Sequence, residues 1–382
     1  MSNVVDQPVP GSGVTGRSFN ALPPIAVFVD PAGGAIGETF TARINLDEIR
    51  AAARALEGFA PQAIRKLTAI ALSHSARAHE TALRANTDRP YEFPEPRSAV
   101  QDYFRIRTAV GLAAEESLTH TLRVIADAAE DLADAPLSGS DIRRIGLAIA
   151  TVLDRYTPRD PAVTLDGLTN DDEPSHEQTW FRRWIIGHQL HAMLNVHAAL
   201  ELRDASESLT NGDLSAATPS IERAAALVEG FAGARAQALA VPAAYYQDVL
   251  RPSMLPPLTT VPLSGRMHLE YNAYRERFET FLNQLPMSAR DLARDAPALA
   301  FARERLIEAD LIEAERHVTS VEPLIGDSRS LIQSSKSYDN AVSALRRIRH
   351  RRAAAAAPLV RFPDVRDIPH RQAASTQRPD TP

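Results

Sequence analysis

The chain has 382 residues, a net charge of −6, 44% apolar and 24% charged residues, and no cysteine. That balance fits a globular protein with a sizeable core, and its mild acidity argues against nucleic acid as a partner. Lacking cysteine, the chain has no disulfide, cysteine nucleophile or thiolate metal ligand; with neither a membrane-length apolar run nor a signal pattern, it reads as cytoplasmic and without membrane contact.

Residues 1–43 are rich in Pro, Gly, Ser and Val without a sustained period, and read as a flexible N-terminal arm. From Asn45 the pattern turns helical. Asn45 and Glu48 have capping-box spacing, and Ile49, Ala52, Leu56 and Phe59 follow on one stripe. Helices predicted at 61–86, 97–133 and 140–156 complete an N-terminal helical part over 44–156. The polar stretch 157–176 reads as a connector. Helices at 177–208, 218–240, 266–284, 288–315 and 329–356 then build a C-terminal helical body over 177–356. Thr218 as cap and Pro219 at the first helical position mark one start. Residues 357–382, polar and rich in Pro and Arg, read as a disordered tail. No segment alternates with β-branched enrichment, so the expected fold class is all-α.

Three stretches carry chemistry. Residues 251–265 hold four prolines among apolar residues, too stiff for helix and too apolar for a solvated loop, which suits a pocket wall. On the helix after the connector, Phe181, Trp184, His188, His191 and Asn195 share a stripe, while His197 points elsewhere. Paired histidines there are either hydrogen-bonded core residues or ligands, and no His-Glu-x-x-His pattern occurs. In the last helix Tyr338, Ala341, Val342, Leu345, Ile348 and Arg349 share one face; Arg352 continues it inward and His350 points outward. Arg352 is then either part of a solvated basic helix end or a pocket residue paired with an anion.

The run Tyr338-Asp339, Val342, Ala344-Leu345 and Arg349 resembles the C-terminal helix of the indoleamine 2,3-dioxygenase family. There the heme iron takes its proximal histidine three residues after the arginine; here that position is Arg352, and the nearest histidine, His350, stands two residues early. Tyr245-Tyr246 through Leu250-Arg251-Pro252 resembles that family's substrate element, shared with the ring-rearranging enzyme of pyrrolnitrin biosynthesis. Residues 180–191 resemble the helix over the distal heme face. His74 and His79 are only loosely similar to the distal histidine region of tryptophan 2,3-dioxygenase.

The resemblance covers about 177–356. It implies a helical pocket for a small aromatic substrate beside heme. Arg251 would clamp a carboxylate. Tyr245, Tyr246, Phe181 and Trp184 would form the aromatic wall, Ser264 would belong to a covering loop, and Arg352 would lie in the pocket. His188 or His350 would ligate iron or serve as acid–base group. The implied function is an enzyme of secondary metabolism acting on tryptophan or a related aromatic amino acid derivative, by oxygenation or ring rearrangement. Its alternative is a heme-free helical binding or assembly protein that kept the fold. A homo-oligomer is compatible with either.

Overall fold

The computed structural model describes residues 25–28, 46–58, 60–84, 98–109, 114–156, 176–331 and 340–360. In chain order these form β1 (Ile25–Phe28), α1 (Asp47–Ala55), α2 (Gln62–Arg84), α3 (Ala99–Phe104), β2 (Ile106–Ala109), α4 (Ala114–Leu132) and α5 (Gly139–Asp154). There follow α6 (His176–Thr210), α7 (Leu214–Leu239), a helical stretch over 243–253, α8 (Leu269–Gln284), α9 (Ala289–Asp295), α10 (Pro297–Ile325) and α11 (Ala341–Ala356). The body is all-α, as its periodicity predicts.

The long pair α6 and α7 forms the centre, with α5 and α10 against α7, α8 against α6, and α11 on α10. Small residues permit the closest crossings. A Cβ on Gly187 of α6 would stand 2.5 Å from the Ala238 nitrogen in α7. One on Gly230 of α7 would meet the Ala148 Cβ of α5 at 2.4 Å. One apolar cluster runs from Leu46 and Ile49 through Ile149 and Leu194 to Phe281 and Val342. The helical parts on either side of the predicted connector therefore share one core.

Several boundaries differ from the sequence expectation. The helix expected over 97–133 is interrupted. Arg105 adopts a left-handed backbone (φ 56) after a complete Ser98–Gln101 capping box, and β2 then pairs in parallel with β1, Ile25 opposite Ile106. A strand thus lies inside the segment read as an arm. Thr218-Pro219 does not start a helix: Asp213 accepts from the Ala216 amide 2.9 Å away, so α7 begins at Leu214 and contains Pro219. α1 starts at Asp47 with Leu46 as a cap that offers no side-chain bond. The predicted 288–315 helix divides at Ala296. Asn45, Phe59, Tyr338, Asp339, residues 157–175 and the tail beyond 360 lie outside the described residues. Leu359, at the start of the predicted tail, is buried, and its carbonyl accepts from the Ala289 amide at 2.6 Å.

Candidate functional site

The spacing of three and four residues that put Trp184, His188 and His191 on one stripe of α6 turns all three toward the same interior region. His188 bonds through Nδ1 to the Trp184 carbonyl at 2.8 Å. Its ring stacks on Phe104, at the end of α3, with centroids 4.1 Å apart. His268 joins from another element. Ser264 caps the 3-10 turn Gly265–Met267 by accepting from the Arg266 amide, and His268 follows directly as the N-cap of α8. Its ring lies 5.3 Å from Phe104 and 6.2 Å, nearly parallel, from His188. His268 Nδ1 is 2.7 Å from Glu270 Oε1.

His317, on α10, completes the group. His188, His191 and His317 lie deep in the body and are half-buried. Burial lowers His188 to about 3, with His268 adding to the effect. Burial and then Arg235 lower His191 well below its ordinary value and His317 to about 3. All three are therefore neutral near pH 7. His191 is already engaged: the Asn195 amide is 3.0 Å from Nδ1, and Arg235 Nη2 is 3.4 Å from Nε2. Both neighbours are donors and a neutral imidazole has one lone pair, so it can accept from only one of them.

Behind the histidines runs a buried ionic network. Arg352 Nη1 lies 3.0 Å from Asp310 Oδ1 and 2.7 Å from Glu313 Oε2, while Nη2 donates to the Tyr271 hydroxyl at 2.6 Å. Arg275 pairs with Asp310 at 2.7 Å, and Arg235 pairs with Glu313. Burial works to raise the Glu313 carboxyl, but Arg235 and Arg352 outweigh it and hold the group well below the carboxylate range. Burial likewise opposes the Arg352 charge, and Glu313 with Asp310 overcomes it. Three guanidiniums thus meet two buried carboxylates, with Arg235 nearest the histidines. Its Nε is buried without a hydrogen-bond partner among the described residues.

The aromatic residues expected in a wall do gather. Tyr246 is 5.7 Å edge-on to Trp184, Tyr245 is 5.1 Å from Trp180, and Phe181 is 6.4 Å from Tyr103. Tyr245 and Tyr246 sit where the helical stretch over 243–253 widens into a π turn, Tyr246–Leu250.

The remaining expected site residues take varied positions. Arg352 is no solvated helix end: its side chain is 9% exposed and committed to Asp310, Glu313 and Tyr271. His350 is exposed on the outer side of α11, so the structure does not bring it to the other histidines as an iron ligand. Arg251 donates to the Arg329 carbonyl near the surface, and is a carboxylate clamp only if that bond gives way. His74 is exposed, His79 bonds the Ser75 carbonyl at 2.8 Å, and His197 is buried edge-on to Tyr156. Sequence reading missed His268, Glu270, Arg235 and His317. The pair His268-x-Glu270 just before a helical run was the available signal.

A family model described as SfmD 3-methyl-L-tyrosine peroxygenase matches residues 35–302. His188, His191, Arg235, His268 and Glu270 fall inside that stretch; Asp310, Glu313, His317 and Arg352 lie beyond it. The 3-methyl-L-tyrosine peroxygenase of Streptomyces lavendulae is 28% identical over 249 residues, 64% of this chain and 64% of that protein. The match thus spans less than two thirds of the curated relative. The crystal structure of reduced SfmD, soaked with sodium hydrosulfite, is similar with a TM-score of 0.50 at 23% identity, over 78% of this chain and 97% of that one. At that identity the likeness is one of fold. The matched family is named for oxidative chemistry on an aromatic amino acid, as the dioxygenase resemblance implied, but the amino acid is a methylated tyrosine.

Proposed function

From the premise that the chain belongs to the SfmD 3-methyl-L-tyrosine peroxygenase family, we propose that it is a heme-dependent peroxygenase of secondary metabolism that hydroxylates tyrosine or a ring-substituted tyrosine. The observation that carries this reading is the gathering of His188, His191, His268 and His317 from three elements in one interior region beside Arg235. Such a reaction takes hydrogen peroxide as oxygen donor: one oxygen replaces an aromatic C–H by C–OH, and the other leaves as water.

The donor set fits heme. Lacking cysteine, the chain offers no thiolate to iron, and imidazole nitrogen is a usual donor to heme iron. His188 and His268 each use Nδ1 in a hydrogen bond, which leaves Nε2 as the donor atom. Heme, when bound, supplies the redox-active iron that activates peroxide. The chain's own residues do the rest. Trp184, Tyr246 and Phe104 offer apolar faces to an aromatic ring. Arg235, beside the histidines and within a network of excess positive charge, suits the carboxylate of an amino acid. Phe181, Tyr245 and Ser264 shape the surrounding wall and the turn before His268, and His188 and His268 would hold the iron.

The test is an absorption spectrum of protein expressed with heme precursor supplied, followed by incubation with tyrosine and peroxide. A Soret band and a product heavier by one oxygen are expected. A protein that takes up no heme and turns over no tyrosine would sink the reading, and tyrosine binding without a Soret band would make this fold a heme-free binding module.

A further inference from the structure

We infer that Glu270 is a positioning residue that fixes the His268 imidazole with its Nε2 lone pair turned to the cofactor and strengthens it as an iron donor; this rests on the proposal that the histidine group holds heme. The carboxylate is 3% exposed, and its Oε1 is 2.7 Å from His268 Nδ1. Among the described residues that histidine is its ionic partner, with no Lys or Arg at ion-pair distance. Burying a carboxylate costs several kcal/mol unless it is compensated, so a site with such modest compensation is expensive for stability alone.

The local chain explains how the pair is held. His268 is the N-cap of α8 with extended backbone (φ −78, ψ 109), and Glu270 lies in the first helical turn. The helix N-terminus favours a negative group at that position. One turn thus fixes both side chains, with the ring further confined by Phe104 and the Ser264-capped turn behind it. A carboxylate accepting from Nδ1–H selects the tautomer whose lone pair is on Nε2 and makes that nitrogen a stronger metal donor, the arrangement that orients and tunes metal-bound histidines. His188, by contrast, bonds a neutral carbonyl. Of the two candidate ligands, His268 is therefore the more electron-donating.

Glu270→Gln and Glu270→Ala variants of the full chain test this by measuring heme affinity, the reduction potential, and the iron–histidine stretch of the ferrous protein. In Glu270→Gln we expect retained heme, a higher potential and a lower stretching frequency. In Glu270→Ala we expect heme affinity to fall by about ten- to a hundredfold. Parent-like potential, frequency and affinity in a folded, heme-loaded Glu270→Gln protein would overturn the role of Glu270 while leaving the functional reading standing. A parent protein without a Soret band would overturn both.

Discussion

Arg352 Nη1 lies 2.7 Å from Glu313 Oε2, so the last helix supplies counter-charge to a carboxylate buried in α10. Removing that guanidinium leaves Glu313 with Arg235 and Asp310 with Arg275, each still paired but without its second cationic donor. Arg352→Met should therefore lose about 1–3 kcal/mol of stability, the usual cost of hydrogen-bond partners removed from buried charged groups. Urea denaturation measures it. A loss below about 1 kcal/mol would place the network at the surface.

Acid should destabilise the protein well before its carboxylates titrate. His188, His191 and His317 are held neutral by burial, so between pH 6.5 and about 3 the unfolded chain binds protons that the folded chain does not. Stability is then fully present above pH 6.5 and falls as pH drops through that window. Each histidine contributes a slope of up to ~1.4 kcal/mol per pH unit. Melting temperature followed from pH 7.5 to 4.5 should decline steadily, and less steeply in His317→Gln.

Glu313 acts at lower pH. Its carboxyl is depressed below the usual 4.5, so its contribution is present above that value and is lost as pH falls toward the folded value. Glu313→Gln should flatten the stability curve below about pH 4.5 and leave the histidine-driven decline above it unchanged. Guanidinium titrations at a series of pH values separate the two.

Arg235 and Arg251 are rival carboxylate clamps and should part company in a binding titration. Arg235→Lys keeps the charge but loses the planar fork, and should weaken tyrosine binding about tenfold or more, as expected for a lost bidentate contact. Arg251→Ala should change the affinity by less than about twofold, since that guanidinium is occupied by the Arg329 carbonyl. The reverse order would restore the substrate element read from the sequence.

Gly187 governs the α6–α7 crossing. An added methyl meets backbone and Cβ atoms of Ala238 at 2.5 to 2.7 Å, and neither helix can yield locally. Gly187→Ala should cost about 1–3 kcal/mol by overpacking, seen as a lower melting temperature. Because His188 is the next residue, the same substitution should shift any Soret band.

The helical body was legible because its apolar stripes are long and regular. Phe181, Trp184, His188 and His191 could be placed on one face from spacing alone. What stayed hidden was pairing across distance. Helical spacing turns Arg352 inward and leaves Arg346 outside, but nothing in the run 346–352 says whether that inward arginine meets an anion; the answer comes from Asp310, Glu313 and Tyr271, some 40 to 80 residues away. Likewise Ile106–Ala109 reads as part of a helix until Ile25–Phe28 lies alongside it. His268 was overlooked because its importance comes from Phe104 and His188 converging on it. Glu270, its carboxylate partner, was the one neighbour visible in the local sequence.

The reach of Arg352 back to α10 also sets a timetable for the growing chain. On a ribosome releasing the protein from its N-terminus, α10 emerges with Asp310 and Glu313 before α11 exists to answer them. Until residue 352 clears the exit tunnel, Arg235 and Arg275 alone must neutralise those carboxylates, and the core around the histidines lacks its final clasp. A released chain truncated after residue 331 should thus hold its helices yet be cut readily by protease near α10. The full chain should resist.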